Sequence, residues 1–464
     1  MVSALAVRPG LHQSHPDMAF RRRLLHTKTA FYLLCGYLIV QAFQIPLLAI
    51  GPSWALWPTL SDVFAGLLIL AYLADQRHFK GISGANLQIL RSLTLITCAT
   101  LVVLVATYTV RFVANEVGNS RAGAFGIFQI YRLIQFTLIF RVAAGIPMTP
   151  KRLAKLAKAA GAALIVLLMG LAGTYSSLVR TRWLVASLPS DFNTAGPWAY
   201  MAHTQLRDVG TIGYNHAYTA IQIMMLLSLY MALRAKENRT MVVVLLLLSL
   251  GGVFLTGSRA GMVAMVLFAA AYFIRKPGML AIAVVLTIFL LIGAGSLMDK
   301  LDINVSQTLH REAALSNPLD PGNLSGREGI WLLSLAFLKV DPLRWAIGAG
   351  PGSAAQLGTN AHMLFLHIIL ESGLIGLSIF GWVTYNVLRR LRRQGAVARP
   401  IFWVTVAFLI SSLTQETFYP LPSFGHFLGL YLCSLAIILN TGGRRQPRAG
   451  NHRNPVLQLR ANVH

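Results

Sequence analysis

Apolar runs long enough to cross a lipid bilayer recur along almost the whole chain, and no other feature limits its fold as severely. A spanning helix needs about 17–25 mostly apolar residues. Only helices and closed barrels satisfy their own backbone in hydrocarbon. Twelve such stretches are read, at 29–50, 54–73, 92–113, 123–143, 159–175, 215–233, 240–256, 260–274, 278–296, 362–388, 401–417 and 424–440. Composition agrees: of 464 residues, 55% are hydrophobic and 12% are charged, too few charges for the surface of a soluble chain of that length. The expected fold is an all-α, polytopic membrane protein with about twelve transmembrane helices. No internal repeat is visible, so an inverted-repeat transporter architecture gains no support.

The net charge of +25 suggests nucleic acid at first sight, but topology accounts for it better. With the N-terminus in the cytoplasm and strict alternation, the inside segments hold 27 Lys and Arg against 3 acidic residues. The outside segments hold 10 against 9, and within spans Arg111, Arg132 and Arg141 cancel Asp62, Glu371 and Glu416. Nearly the whole excess therefore sits inside, as the positive-inside rule requires. The basic head at 1–28 precedes a span too long for a signal core, without an evident small-residue cleavage site, so it is expected to stay. Spans one to nine occupy 29–296 and spans ten to twelve 362–440, and a basic tail at 441–464 ends inside. Cys35, Cys98 and Cys433 all fall within spans, so no disulfide framework is expected.

Two outside segments are long, 175–214 and 297–361. The first carries Arg180, Arg182 and Arg207, and the span after it opens near His216. The second contains "SGREGIWLLSLAFLKVDP", in which Ser325 and Glu328 form a capping-box pattern. A short helix should start there, stop before Asp341-Pro342, and lie along or just above the outer surface.

Candidate chemistry gathers at the same outer level. Arg259, in "TGSRAG", sits where two spans meet with almost no connection. It serves either as a fixed cation or as a snorkelling anchor. Arg327 lies at a helix start, where guanidinium and free N–H groups both suit an anion; the alternatives are a pair with Glu328 or a lipid phosphate. His362 follows the glycine-rich run "IGAGPGSAAQLG". A helix beginning near Asn360 would place it in the first turn, where the helix dipole favours a neutral ring able to accept a proton. The glycines could let backbone come close to a substrate. His367 and Glu371, at i and i+4, share a face and read as a buried structural pair rather than a proton relay. Asp62 and Arg132 are expected to pair across spans. No Walker-type loop, H-E-x-x-H or outer D-x-D pair is present, so an outer phosphate site would rely on arginine, without metal or cofactor.

"GSRAG" at 257–261, "GREGIW" at 326–331 and "IGAGPGSAAQLGTNAHMLFLHIILESGLIGL" at 347–377, in this order, resemble the O-antigen ligase and polymerase superfamily of bacterial envelopes. The resemblance implies a GT-C-like glycosyltransferase of the inner membrane. Such enzymes move a glycan from undecaprenyl diphosphate to an acceptor hydroxyl at the periplasmic face. In ligases the acceptor is a sugar of the lipid A core; in polymerases it is another repeat unit. By likeness, Arg259 and Arg327 would hold the donor diphosphate and His362 would be catalytic. Arg180, Arg182, Arg207, His216 and Glu371 would be candidates to line the cleft. Met363 stands where relatives often carry Asn or another polar residue. A glycolipid flippase is the reading from a different class, but it would place charges near the midplane rather than at the outer edge.

Overall fold

The computed structural model describes residues 16–43, 58–74, 82–113, 120–175, 216–234, 238–256, 258–274, 278, 327–357, 361–420 and 426–442. Among them the chain is helical, without strands. The helices are α1 (Pro16–Val40), α2 (Leu60–Leu73), α3 (Gly84–Val113), α4 (Ser120–Gly145), α5 (Pro150–Tyr175), α6 (His216–Arg234), α7 (Arg239–Leu255) and α8 (Arg259–Phe273). After the second long segment come α9 (Arg327–Lys339), α10 (Pro342–Ile347), a 3₁₀ turn (Ser353–Leu357), α11 (Leu364–Arg393), α12 (Arg399–Ser411) and α13 (Phe427–Gly442).

Among the described residues, four helices are long and apolar enough to cross a membrane: Gly84–Thr107, Gly126–Gly145, Pro150–Leu171 and Leu364–Arg393. Seven shorter apolar helices of 10–17 residues accompany them. Each of these eleven helices falls on one of the apolar stretches read from the sequence; of the stretch at 278–296, all but residue 278 lies outside the described residues.

Local signals set the helix starts. Asn238 accepts from the Met241 N–H ahead of α7, and Ser258 accepts from the Gly261 N–H ahead of α8. Asp341 accepts from the Leu343 N–H, with Pro342 opening α10, a position that proline favours because its missing N–H is not needed. Before α2, Asp62 reaches back to the Thr59 N–H at 2.8 Å.

Hydrogen bonds join matching helix ends. At the basic end, Lys155 Nζ donates to the Tyr32 hydroxyl (2.8 Å), Asn86 Nδ2 to Asn440 Oδ1 (2.8 Å), Asn440 Nδ2 to Ala144 O (2.8 Å), and Arg399 Nη2 to Tyr272 O (3.1 Å). All these groups lie at ends expected to face the cytoplasm. These bonds bring together helix ends that strict alternation would put on one side.

Towards the opposite end, Asp62 pairs with Arg132, as expected, but a histidine completes the cluster. His426 Nε2 lies 2.9 Å from Asp62 Oδ1 and 2.6 Å from Arg132 Nη1. Gln135 Oε1 accepts from Arg132 Nη1 (2.8 Å), and the Tyr37 hydroxyl meets His426 Nδ1 (3.2 Å). Arg132 and His426 are fully buried, so this network ties α1, α2, α4 and the start of α13 together. Breaking a buried ion pair from one side costs about 3–5 kcal/mol, because the surviving charge is left unpaired. Arg132→Leu is expected to lower the unfolding temperature in detergent sharply and to reduce membrane yield; an unchanged melt would show that the pair contributes no stability.

Candidate functional site

α11 departs from a continuous helix. Gly373 has φ 64 and ψ −168 inside it, so the helix breaks after two turns. The break strands carbonyl groups that would otherwise be orphaned in an apolar setting. The glycine-rich run satisfies them: the Ala349 N–H donates to Leu370 O (2.7 Å) and the Gly350 N–H to Glu371 O (3.1 Å), while the Gly352 N–H donates to Glu371 Oε1 (2.9 Å). Gly348 and Gly373 face each other so closely that a Cβ on either would overlap the other segment's backbone. Here the run serves as a plug for the break in α11. That differs from its expected role beside a substrate.

Glu371 and His367 form the pair that their spacing implied, with His367 Nε2 3.3 Å from Glu371 Oε1. Gln129 of α4 donates to the same oxygen (3.3 Å). A second carboxylate, Glu416, was not singled out by the sequence reading. The stretch 401–417 reads as one span, but α12 ends at Ser411, and residues 412–420 continue in irregular, mostly buried backbone. Non-helical backbone at such depth is tolerated where protein satisfies it. Gln415 Nε2 donates to Ser411 Oγ (3.3 Å) and to Thr417 Oγ1 (3.2 Å). Glu416 Oε1 lies 3.5 Å from His367 Nδ1, so His367 stands between two buried carboxylates. The signal for Glu416 was the one used for Asp62: an acid within an otherwise apolar stretch.

His362 is placed differently from the expectation. α11 begins at Leu364 behind Met363, and Asn360 lies outside the described residues. His362 sits before the helix in a left-handed conformation, φ 49. Tertiary bonds fix it there: its N–H donates to Glu416 Oε1 (2.5 Å), and the Leu364 N–H donates to Ser412 O (2.9 Å). The first free donor of α11 is therefore taken by protein. A charged group faces the ring, with Glu416 Oε2 4.0 Å from His362 Nδ1. The His362 side chain is 40% exposed and that of Glu416 only 3%, so an open imidazole is backed by a closed carboxylate. Met363 joins an apolar cluster with Trp331, Leu366 and Leu370.

Two of the arginines singled out open helices. Arg327 opens α9, and one turn on, Trp331 Nε1 donates to Ala361 O (2.9 Å), which fixes the head of α9 to the residue preceding His362. α9 ends before Asp341, as expected. Ser325 lies outside the described residues. Arg259 opens α8 behind the Ser258 cap. α8 and α12 pack antiparallel with Arg399 bonded to the far end of α8, so Arg259 shares the end of the bundle that carries Ser411, Ser412 and Glu416. Gly261 lets α8 approach α6 at Ala220. His216 opens α6, and Tyr218, two residues on, donates to Glu416 O (3.4 Å). Arg180, Arg182 and Arg207 lie outside the described residues.

An apolar slot of about 230 Å³ runs between α3 and α11. On α11 its lining extends from Ile368 to Val387, about 28 Å of helix and close to the thickness of a hydrocarbon core. Gln129 and Tyr419 also line it, and the Tyr419 ring lies 4.2 Å from that of His367. The apolar slot thus borders the acid–histidine cluster. Among the described residues, no cluster of His, Cys, Asp and Glu has the arrangement to hold a metal ion.

None of the curated proteins matches the chain. Residues 243–381 match the family model described as O-Antigen ligase. That stretch contains Arg259, Arg327, His362, His367 and Glu371, and the match supports the resemblance to the O-antigen ligase and polymerase superfamily.

Proposed function

We propose that the chain is an O-antigen ligase, transferring a glycan from undecaprenyl diphosphate to a hydroxyl of the lipid A core at the periplasmic face of the inner membrane. The observation that carries this reading is the half-exposed His362 backed by Glu416, in a cluster whose His367 ring lies against Tyr419 of an apolar slot. The polyprenyl tail would occupy the slot, and the diphosphate would emerge among His362, Arg327 and Arg259. The acceptor oxygen attacks the anomeric carbon, and its proton passes to His362. The C–O bond to the diphosphate breaks, and its electron pair leaves on the diphosphate oxygen. Arg259 and Arg327 stabilise that charge in a site shielded from water. Attack opposite the leaving group inverts the anomeric centre. Glu416 stabilises the imidazolium as it forms, as the carboxylate does in a serine hydrolase triad.

The test is transfer by purified protein, supplied with polyprenyl-diphosphate-linked glycan and lipid A core. Activity is expected to persist in EDTA. Arg259→Lys and Arg327→Lys should each lose most of it, because lysine keeps the charge but not the planar fork that grips two phosphate oxygens. In a deletion strain, bare lipid A core with long lipid-linked chains accumulating supports ligation. Core capped by single repeats would replace the reading with polymerisation.

A further inference from the structure

α9 is built inside out for a helix in water. Its buried positions are Ser334 and Leu338, and Ser334 is satisfied by Ile330 O (2.8 Å). Its outer face presents Leu332, Leu333 and Ala336, and the row continues through Val340, Leu343 and Ile347 into α10. The large side chains of this row keep between 44% and 73% of their surface. A contiguous apolar surface of this kind marks an interaction face.

The depth of this pair can be read against α11. The basic cluster Arg389–Arg393 ends that helix and marks one edge of the hydrocarbon. A core about 30 Å thick corresponds to about 20 helical residues, which puts the other edge at about residue 369. α9 and α10 pack at that level. Trp331 is bonded to Ala361, Leu338 clusters with Leu366 and Leu370, and Ala349, just past α10, is bonded to Leu370. The charged groups that flank the intervening turn suit a headgroup layer. Lys339 is exposed, and Arg344 donates to Phe337 O (3.1 Å) while lying over the Phe337 ring.

We infer that α9 and α10 lie within the headgroup–acyl boundary of the leaflet opposite the basic helix ends, with this row seated among lipid acyl chains. The pair then behaves as an interfacial anchor rather than as a loop held above the membrane. If the proposed function is right (this one consequence rests on it), Arg327 meets a diphosphate carrier at headgroup level without the carrier leaving its leaflet.

The test does not depend on transfer. Spin labels are placed singly at Leu333→Cys, Val340→Cys and Leu343→Cys, after Cys35, Cys98 and Cys433 are replaced, and the protein is reconstituted in phosphatidylethanolamine–phosphatidylglycerol liposomes. All three labels are expected to collide with oxygen and escape a water-soluble nickel chelate, as a label at Val102→Cys on the exposed face of α3 should, and unlike one in the Ala396 loop. Nickel access equal to that at Ala396→Cys would overturn the inference. Shielding from both reagents would overturn it too, since protein, such as residues 279–326, would then cover the row. In the unsubstituted chain, an acyl-chain carbene probe should leave adducts within 329–347. Adducts on α3 without any there would count against it.

Discussion

His362→Ala is expected to abolish glycan transfer by the purified protein while leaving its yield, its melt and its binding of the lipid-linked donor nearly unchanged. The side chain is the open member of the cluster, and its fixed contact with Glu416 runs through the backbone N–H, which alanine retains. Loss of a general base costs about 10²–10⁴-fold in rate. The diphosphate clamp proposed at Arg259 and Arg327 is untouched, so donor affinity should stay. The positive φ of His362 costs alanine no more than histidine in kind. His367→Ala should behave differently. Its imidazole sits between Glu371 and Glu416, both buried. Removing it leaves two buried carboxylates facing each other with only the Gly352, Gln129 and His362 N–H donors, and the loss should appear in folded yield before it appears in rate per folded molecule. Wild-type turnover by His362→Ala, with donor and acceptor supplied, would remove this histidine from the mechanism.

What the sequence disclosed and what it hid divide along physical lines. Apolar runs, basic loops and i, i+4 pairs are local or additive signals. They gave the helices, the antiparallel order of their ends, the His367–Glu371 pair and, through the cost of charge in lipid, the Asp62–Arg132 pair. The break in α11 depends on contacts between the 348–352 run and residues 370–373, and a hydropathy window cannot register them. The same window reads 401–417 as one span, because Gln415 and Glu416 are too few to lower its average. Their role emerges only when the irregular backbone after Ser411 meets His362 and His367. His362 lies off the helix for a related reason: its N–H and that of Leu364 are held by Glu416 and Ser412, which lie about fifty residues away in the chain.

Gly373→Ala and Gly348→Ala are expected to prevent accumulation of folded protein, not merely to slow it. At Gly373 the backbone occupies φ 64 and ψ −168, a region open essentially to glycine alone. A Cβ there would overlap Ala346 O, and one at Gly348 would overlap the Glu371–Ser372 peptide. Neither neighbour is the end of a flexible side chain, so the 346–350 segment would have to leave α11. The Leu370 and Glu371 carbonyls would then be stranded in apolar surroundings, each costing about 1–3 kcal/mol. The control lies in the same helix. Gly381 has nothing within 4 Å of its would-be Cβ, and alanine there should be neutral or stabilising by up to about 1 kcal/mol. Size-exclusion profiles and unfolding temperatures in detergent would read all three variants. The two hypotheses for the glycine run diverge at this point. If its glycines made room for substrate, Gly348→Ala would fold with a normal profile and fail only in transfer, and the plug described here would be wrong. If they make room for the broken helix, transfer and folded yield fall together, and Gly381→Ala shows neither loss.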